Sequence, residues 1–267
     1  MCLVDAGGKE CWVNMIPKDR QKAILESLHT NGYISVEDLA KQLYVSQATI
    51  RRDLNELEKD GFLNRTHGGA SFISQDHMIT SIDYRTKWNM EGKVRIGKKA
   101  AELVDDGMHI FIDSSSTTLW FAKQLNDKKD LHILTNNVSI AQILSQENTH
   151  HVEITCGTYD YKHGGIFGID TADYIMQRHA DILFVSASGI DTSGITTKTK
   201  RDIAAKHAFH KRSDLTVLLI DHTKFFEVNY YQVFNLDDID IIIVDKELPK
   251  ELNEICQKHQ IHVIVAD

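Results

Sequence analysis

S46-Q-A-T-I-R-R-D-L-N-E-L-E-K-D-G61 sets two arginines side by side near the start of a segment whose second half is acidic. Ile50, Leu54 and Leu57 recur at i, i+4 and i+7, the spacing of one apolar helix face. Ser46 stands where a side-chain oxygen accepts a free backbone N–H at a helix start, and Gly61 suits its end. The polar groups are sorted along the axis. Ser46, Gln47, Thr49, Arg51 and Arg52 bring hydroxyl, amide and guanidinium groups to the first turns, where a helix N-terminus itself favours a phosphate. Glu56, Glu58 and Asp60 crowd the other end, where a phosphate-lined groove would repel them. A helix built this way enters DNA by its first half only.

An arginine pair alone is more often a solvated face, so the surrounding pattern has to carry the reading. Upstream, Ile24, Leu25 and Leu28 mark an amphipathic helix that the N31-G-Y33 stretch closes. Ser35, with Asp38 three residues on, starts a second helix whose inner face is Leu39, Ala40 and Leu43. Downstream, F62-L-N-R-T-H-G-G-A70 suits a small hairpin, adding Arg65 and His67 to the polar set. Helix, helix, short turn, capped helix and wing is the order of a winged helix-turn-helix.

Composition limits what else the chain can be. Its 267 residues, 42% hydrophobic and 25% charged, carry a formal charge of −8. There is no general basic field to hold a polyanion, so any contact with DNA is local. Cys2, Cys11, Cys156 and Cys256 lack CxxC spacing, which argues against a zinc knuckle or a disulfide framework and fits a reduced, cytoplasmic setting. The longest apolar runs, such as I241-I-I-V244, are strand-sized, and no membrane span is expected. The His150–His151 and His207/His210 pairs lack a third ligand at useful spacing and are read as surface residues, with no metal or other cofactor expected.

From about Lys93 onward, apolar strands alternate with amphipathic helices. Strands are expected at 109–113, 131–136, 152–157, 181–188, 215–221, 238–245 and 262–267. Their unbroken Ile, Val and Leu runs predict a mainly parallel α/β sheet covered on both faces, with ligands beyond the carboxyl ends of the strands. Those ends are polar: Asp113, Ser114, Ser115, Ser116, Thr117 and Thr118 lead into a helix, followed by Asn136 and Asn137, then Gly157, Asp191, and Asp221 with Lys224. A hydroxyl run before a helix is more often only a cap, and an aspartate at a strand end often satisfies local N–H groups. Convergence at five successive strand ends nevertheless describes a site for a small polyhydroxylated anion such as a sugar phosphate.

Arg20, Ile24 and Leu28, followed by Ser46 and T49-I-R-R-D-L54, resemble the signature of the DeoR family of bacterial transcriptional regulators. The wing stretch R65-T-H-G-G-A70 and the K93-x-x-I96 lead into A100-A-E-L-V-D-D-G107 are similar too. The resemblance implies a winged helix-turn-helix joined to a sensor domain of ribose-5-phosphate isomerase-like fold that binds a phosphorylated sugar. It makes Asp113–Thr118 the phosphate loop, Asn136 and Asn137 a ligand wall, Gly189–Asp191 a strand end that bears catalytic acids in the enzymes, and Lys224 a cation at the site edge. The chain departs from the family in an all-hydroxyl phosphate loop, in D221-H-T-K224, and in Asp160 after Tyr159, where Lys162 or His163 can substitute for an arginine.

The expected organisation is a flexible extension over 1–14, a DNA-binding domain over 15–72, a linker over 73–93 and a sensor domain over 94–267. The expected function is a cytoplasmic, homo-oligomeric repressor of carbohydrate-metabolism genes, a dimer or tetramer, with double-stranded operator DNA and a phosphorylated sugar as partners and no catalytic residue. The alternative is a sugar-phosphate isomerase or deaminase carrying an appended helix-turn-helix. A third reading, a protein-interaction module, predicts no salt-dependent DNA binding.

Overall fold

The computed structural model describes residues 3–4, 10–11, 16–59, 62–71, 82–146 and 149–267. The chain divides into two compact units, Met1–Tyr84 and Arg85–Asp267. Gly61, expected to end the reader helix, residue 72 at the end of the expected DNA-binding domain, and residues 73–81 of the expected linker lie outside the described residues.

In the smaller unit, the pair Leu3–Val4 (β1) and Glu10–Cys11 (β2) precedes helix α1 (Pro17–Asn31), strand β3 (Tyr33–Ser35), α2 (Val36–Gln42), α3 (Gln47–Lys59) and the hairpin β4 (Asn64–Thr66) and β5 (Gly69–Ser71). Gly32, at φ 70°, closes α1 and sends its N–H to the Leu28 carbonyl. The Ser35 side chain caps α2 by accepting from the Asp38 N–H at 3.0 Å, as its spacing predicts. Ile24, Leu28, Leu39, Ile50, Leu54 and Leu63 are buried in this unit. β3 and β4 flank β5, so the wing hairpin continues a three-stranded antiparallel sheet. The glycine pair is explained here: Gly68 turns the chain at φ +92°, and a Cβ on Gly69 would lie 2.5 Å from the Ile34 carbonyl oxygen.

The larger unit is built on seven strands, β6 (His109–Ile112), β7 (His132–Thr135), β8 (His151–Ile154), β11 (Ala180–Val185), β14 (Ser213–Leu219), β16 (Ile241–Val244) and β17 (His262–Val265). They form one sheet in the order β17-β16-β14-β11-β6-β7-β8, and every neighbouring pair is parallel. Each of the seven expected strands is therefore present. The unbroken apolar runs follow from burial on both faces. Ile110, Ile112, Ile182 and Phe184 pack into one core cluster with Ile96, Phe121 and Ile140, while Phe111, Leu183 and Val185 pack into the other with Ile175, Phe209 and Leu252.

Starting at β6, the chain runs outward through β7 and β8 and then returns to place β11 on the other side of β6. The crevice beyond the carboxyl ends of β6 and β11 is thus the topological switch point, where open α/β sheets take their ligands. Smaller antiparallel pieces escaped the sequence reading: a hairpin of β9 (Thr158–Asp160) with β10 (Gly165–Phe167), and a three-stranded sheet of β12 (Gly189–Asp191), β13 (Gly194–Thr197) and β15 (Tyr231–Phe234). The end of the expected linker is helical. α4 (Ile82–Lys87) and α5 (Met90–Ala101) meet at Asn89, whose left-handed backbone (φ 46°) breaks the helix.

Candidate DNA-reading helix and anion crevice

α3 begins as expected. The Ser46 hydroxyl accepts the Thr49 N–H at 3.1 Å and lies 2.9 Å from the Thr49 hydroxyl. Gln47, Arg51 and Arg52 are exposed on its first turns, and Arg51 donates to Gln47 Oε1 at 3.0 Å. His67 is exposed in the wing turn, and Arg65 is half-buried: its backbone N–H donates to Glu58 and its guanidinium to Asn55. The wing is thereby fastened to the distal half of α3. Asp53, quoted within the motif but given no role, is buried and takes two hydrogen bonds from the buried Arg20 guanidinium at 2.5 and 2.9 Å. That hydrogen bond and the charge of Asp53 hold the arginine above its ordinary value despite burial.

At the switch point, the Asp113 carboxylate is buried and accepts an ion-pair hydrogen bond from Lys206 and another from the Ser186 N–H at 3.3 Å. Lys206, on α8 (Arg201–Lys211), also donates to the Ser186 carbonyl at 2.7 Å, tying the ends of β6 and β11 together. Burial pushes the Asp113 carboxyl up, against the pull of Lys206. Beside them Asp113, Ser114, Asn136, Phe167, Asp202, Ala205, Lys206 and Phe209 line a narrow crevice.

The hydroxyl run divides its labour. Ser115 and Thr118 form a capping box on α6 (Ser116–Ala122), and the Thr118 hydroxyl also donates to the Asp113 carbonyl at 2.7 Å. Both side chains are thus engaged locally. Ser114 faces the crevice and accepts from Asn137 Nδ2 at 2.9 Å. Thr117, buried, accepts from the Ser186 hydroxyl at 3.5 Å, and Ser116 is buried at the first position of α6.

Asn137 caps α7 (Val138–Ser145) through the Ile140 N–H at 3.0 Å. Asn136 donates to the Ile166 carbonyl at 3.1 Å while its own Oδ1 is buried without a partner. Gly157 sits at φ +133° where a Cβ would meet Thr171 Oγ1 at 2.3 Å, so its place is set by packing. Asp191 differs from expectation. It lies at the tip of the β12–β13 hairpin, and one carboxylate oxygen accepts from the Ser193 N–H, the Ser193 hydroxyl and the Gly194 N–H. Those local donors explain an aspartate at that turn.

Lys224 stands in the turn after β14, 3.8 Å from Asp221 and 3.4 Å from the Ser186 hydroxyl. Burial would raise the Asp221 carboxyl, but Lys224 and Lys93 outweigh it and hold it below its ordinary value. Burial lowers Arg85, Lys198 and Lys224 and brings the Lys93 ammonium down to about 7. Arg85, Lys93 and Lys224 lie close enough to Asp113, Asp202 or Asp221 to feel their charge, and Lys198 close enough to feel Arg85 and Glu227. Partly desolvated positive charge of this kind gains most from an incoming anion.

Arg85, Lys93, Lys206 and Ser186 received no role from the sequence alone. Lys206 left a signal: it shares a helix face with Asp202 and Phe209, at spacings of four and three. Also on α8, His207 lies 2.6 Å from the Val233 carbonyl and His210 Nδ1 lies 2.8 Å from the Thr216 hydroxyl, so both rings have local partners.

Residues 20–76 match the DeoR-like helix-turn-helix domain, and residues 88–246 match the DeoR C-terminal sensor domain. The chain belongs to the DeoR family. The transcriptional regulator GolR of Listeria innocua is 33% identical over 95% of this chain and 100% of its own length. The glycerol-3-phosphate regulon repressor of Escherichia coli is 31% identical over 91% of this chain and 97% of its own. Among solved structures, ribose 5-phosphate isomerase A from Methanocaldococcus jannaschii is 17% identical, with a TM-score of 0.37 over 51% of this chain and 55% of that one. This DeoR-family chain is a helix-turn-helix transcriptional regulator with a sensor domain. Among the described residues, no helix is long and apolar enough to cross a membrane.

Proposed function

We propose that this DeoR-family regulator represses carbohydrate-metabolism genes and that a phosphorylated sugar or polyol bound at the switch-point crevice changes its grip on operator DNA. The observation that carries the reading is the gathering of Arg85, Lys93, Lys206 and Lys224 at the carboxyl edge of a parallel sheet, in the same chain as a capped helix with exposed Gln47, Arg51 and Arg52. The cations suit a phosphate. Asn136 Oδ1, buried and unpartnered, suits a hydroxyl donor on the rest of the ligand.

Residues 15–72 read DNA through Ser46, Gln47, Thr49, Arg51 and Arg52, with Arg65 and His67 on the wing; residues 94–267 bind the effector; 73–93 connect them. Ser114, Ser116, Thr117, Asn136 and Lys224 contact the effector, whereas Ser115, Thr118, Asn137 and Gly157 shape the loops that present them. Because one reader helix covers few base pairs, the working form is a homo-oligomer placing two helices one DNA turn, or a multiple, apart.

Turnover is not part of this reading. Catalysis on a sugar phosphate needs a free base beside a partner acid; Asp113 is held by Lys206 and Asp191 by its own turn, while Asp221 keeps one oxygen without a hydrogen-bond partner, 3.8 Å from Lys224. The test is binding of the purified protein to DNA upstream of its own gene, across a salt series, with and without a panel of sugar phosphates. Sequence-specific binding altered by one compound is the expected result. Turnover of a sugar phosphate without specific DNA binding would overturn the reading.

A further inference from the structure

The connector is fastened to the anion crevice at several points. Lys93 is buried on α5 and sends its ammonium back to the carbonyl of Arg85 at 2.6 Å and to that of Trp88. Trp120 stands on α6, the helix that starts at the hydroxyl loop, and its indole N–H donates to the Thr86 carbonyl at 2.9 Å. The Asp245 carboxylate accepts from Asn89 at the α4–α5 corner at 2.9 Å and from the His222 N–H at 2.7 Å, two residues before Lys224. Gly97 lets α5 lie directly on α6: a Cβ there would sit 2.9 Å from the Phe121 backbone. Residues 85–89 are thus bonded to Lys93, to the helix that follows the hydroxyl loop, and through Asp245 to the turn that carries Lys224.

Within this fastening one donor is unused. The Arg85 guanidinium lies in the field of Asp113, Asp202, Lys198, Lys224 and His163, and its Nε is buried without a hydrogen-bond partner. A buried, unpaired N–H on a cation is costly.

We infer that Arg85 is an effector-contacting residue, whose free N–H takes an anionic oxygen of the ligand and so fixes the position of the helix that carries it. This rests on the reading of the crevice as a phosphorylated-ligand site. Residues 85–89 are continuous in sequence with the segment leading to the DNA-binding unit, so occupancy of the crevice is written directly onto the connector. Two states of the connector, favoured unequally by the ligand, are what coupling between the two sites requires.

The experiment is hydrogen–deuterium exchange on the intact, unmodified protein with glycerol 3-phosphate, ribose 5-phosphate, glucose 6-phosphate or fructose 6-phosphate, and with inorganic phosphate as the bare anion. A compound that binds should slow exchange at 82–89 as well as at 113–118. Arg85→Gln should weaken that compound at least tenfold and shrink the ratio of operator affinities with and without it. Arg85→Lys, which keeps the charge, should recover part of both. Binding that protects 113–118 but leaves 82–89 unchanged overturns the inference alone, as does an Arg85→Gln variant that binds and responds like the unmodified protein. Should Arg85→Gln not fold, the exchange pattern and Arg85→Lys decide. If no phosphorylated compound binds the unmodified protein, the reading of the crevice falls and this inference with it.

Discussion

Replacing Asp53 by alanine leaves the Arg20 guanidinium buried without its counter-charge. Losing one partner of a buried pair costs about 3–5 kcal/mol, a large part of the stability of so small a unit. Urea unfolding should show that loss in the smaller unit, while the double change Arg20→Met with Asp53→Leu, which removes both charges, should recover most of it. Asp53 thus serves the scaffold and the neighbouring arginines serve the ligand: Arg51→Ala and Arg52→Ala should each weaken operator binding by about 1–3 kcal/mol at a contacted base, or flatten its salt dependence by about one ion at a contacted phosphate. Effector binding should be unchanged. Unaltered operator binding by both variants would misplace the reader helix. The distinction between Asp53 and its neighbours was available in the sequence. Asp53 falls three residues after Ile50, on the apolar face, and a charge on such a face needs a partner. Lys206 presents the same signal. What spacing could not supply was the identity of either partner, because Arg20 is 33 residues from Asp53 and Lys206 is 93 from Asp113.

The seven long strands were legible element by element because burial on both faces leaves no polar alternation to confuse the pattern. The antiparallel pieces were not. β9, β10 and β12 are three residues each, and β10, β12 and β13 begin with glycine, so their sequence reads as loop. Asp191 was misread for the same reason, as the end of a parallel strand instead of a hairpin tip. The α5–α6 crossing is also invisible in sequence, yet it sets how closely the connector approaches the hydroxyl loop. Gly97→Ala should cost about 1–3 kcal/mol through overpacking, read as a lowered urea midpoint of the larger unit. Lys93 makes a pH-dependent contribution on the same helix. Burial holds its folded value at about 7, below the 10.5 of an exposed lysine. Between those values the unfolded chain binds the extra proton, so stability rises with pH across that window and is lowest at and below about 7. Urea midpoints from pH 7 to 10 should climb more steeply in the unmodified protein than in Lys93→Met. Equal slopes would remove Lys93 from the account.

At the scale of the molecule, the order of domains was readable, but the strand order that creates the switch point was not, since parallel strands can be threaded in several ways from one set of periodicities. That order joins Asp113 to Ser186 and gathers Arg85, Lys93, Lys206 and Lys224 at one edge. The gathering has a consequence for regulation. Arg85, Lys93, Lys198 and Lys224 are all held below their ordinary values, by burial first, so the lysines among them are more readily discharged than a surface lysine. An anionic effector favours their protonated forms, and binding should therefore take up protons. The sign follows: affinity for the effector should fall as pH rises above about 7, the Lys93 value, because the positive field is lost as the lysine discharges. The phosphate itself stays doubly charged over that range, its second proton leaving near pH 6, so it does not mask the trend. Calorimetric titration from pH 7 to 9, in buffers of different ionisation enthalpy, should show weakening affinity and net proton uptake. Operator binding without effector should change little over the same range, because the cation cluster belongs to the effector site. Allosteric coupling of about 1–3 kcal/mol corresponds to a 5- to 150-fold change in operator affinity, so a modest loss of effector affinity is enough to move the switching concentration. An affinity flat from pH 7 to 9, with no proton uptake, would mean that the phosphate sits away from this cation cluster.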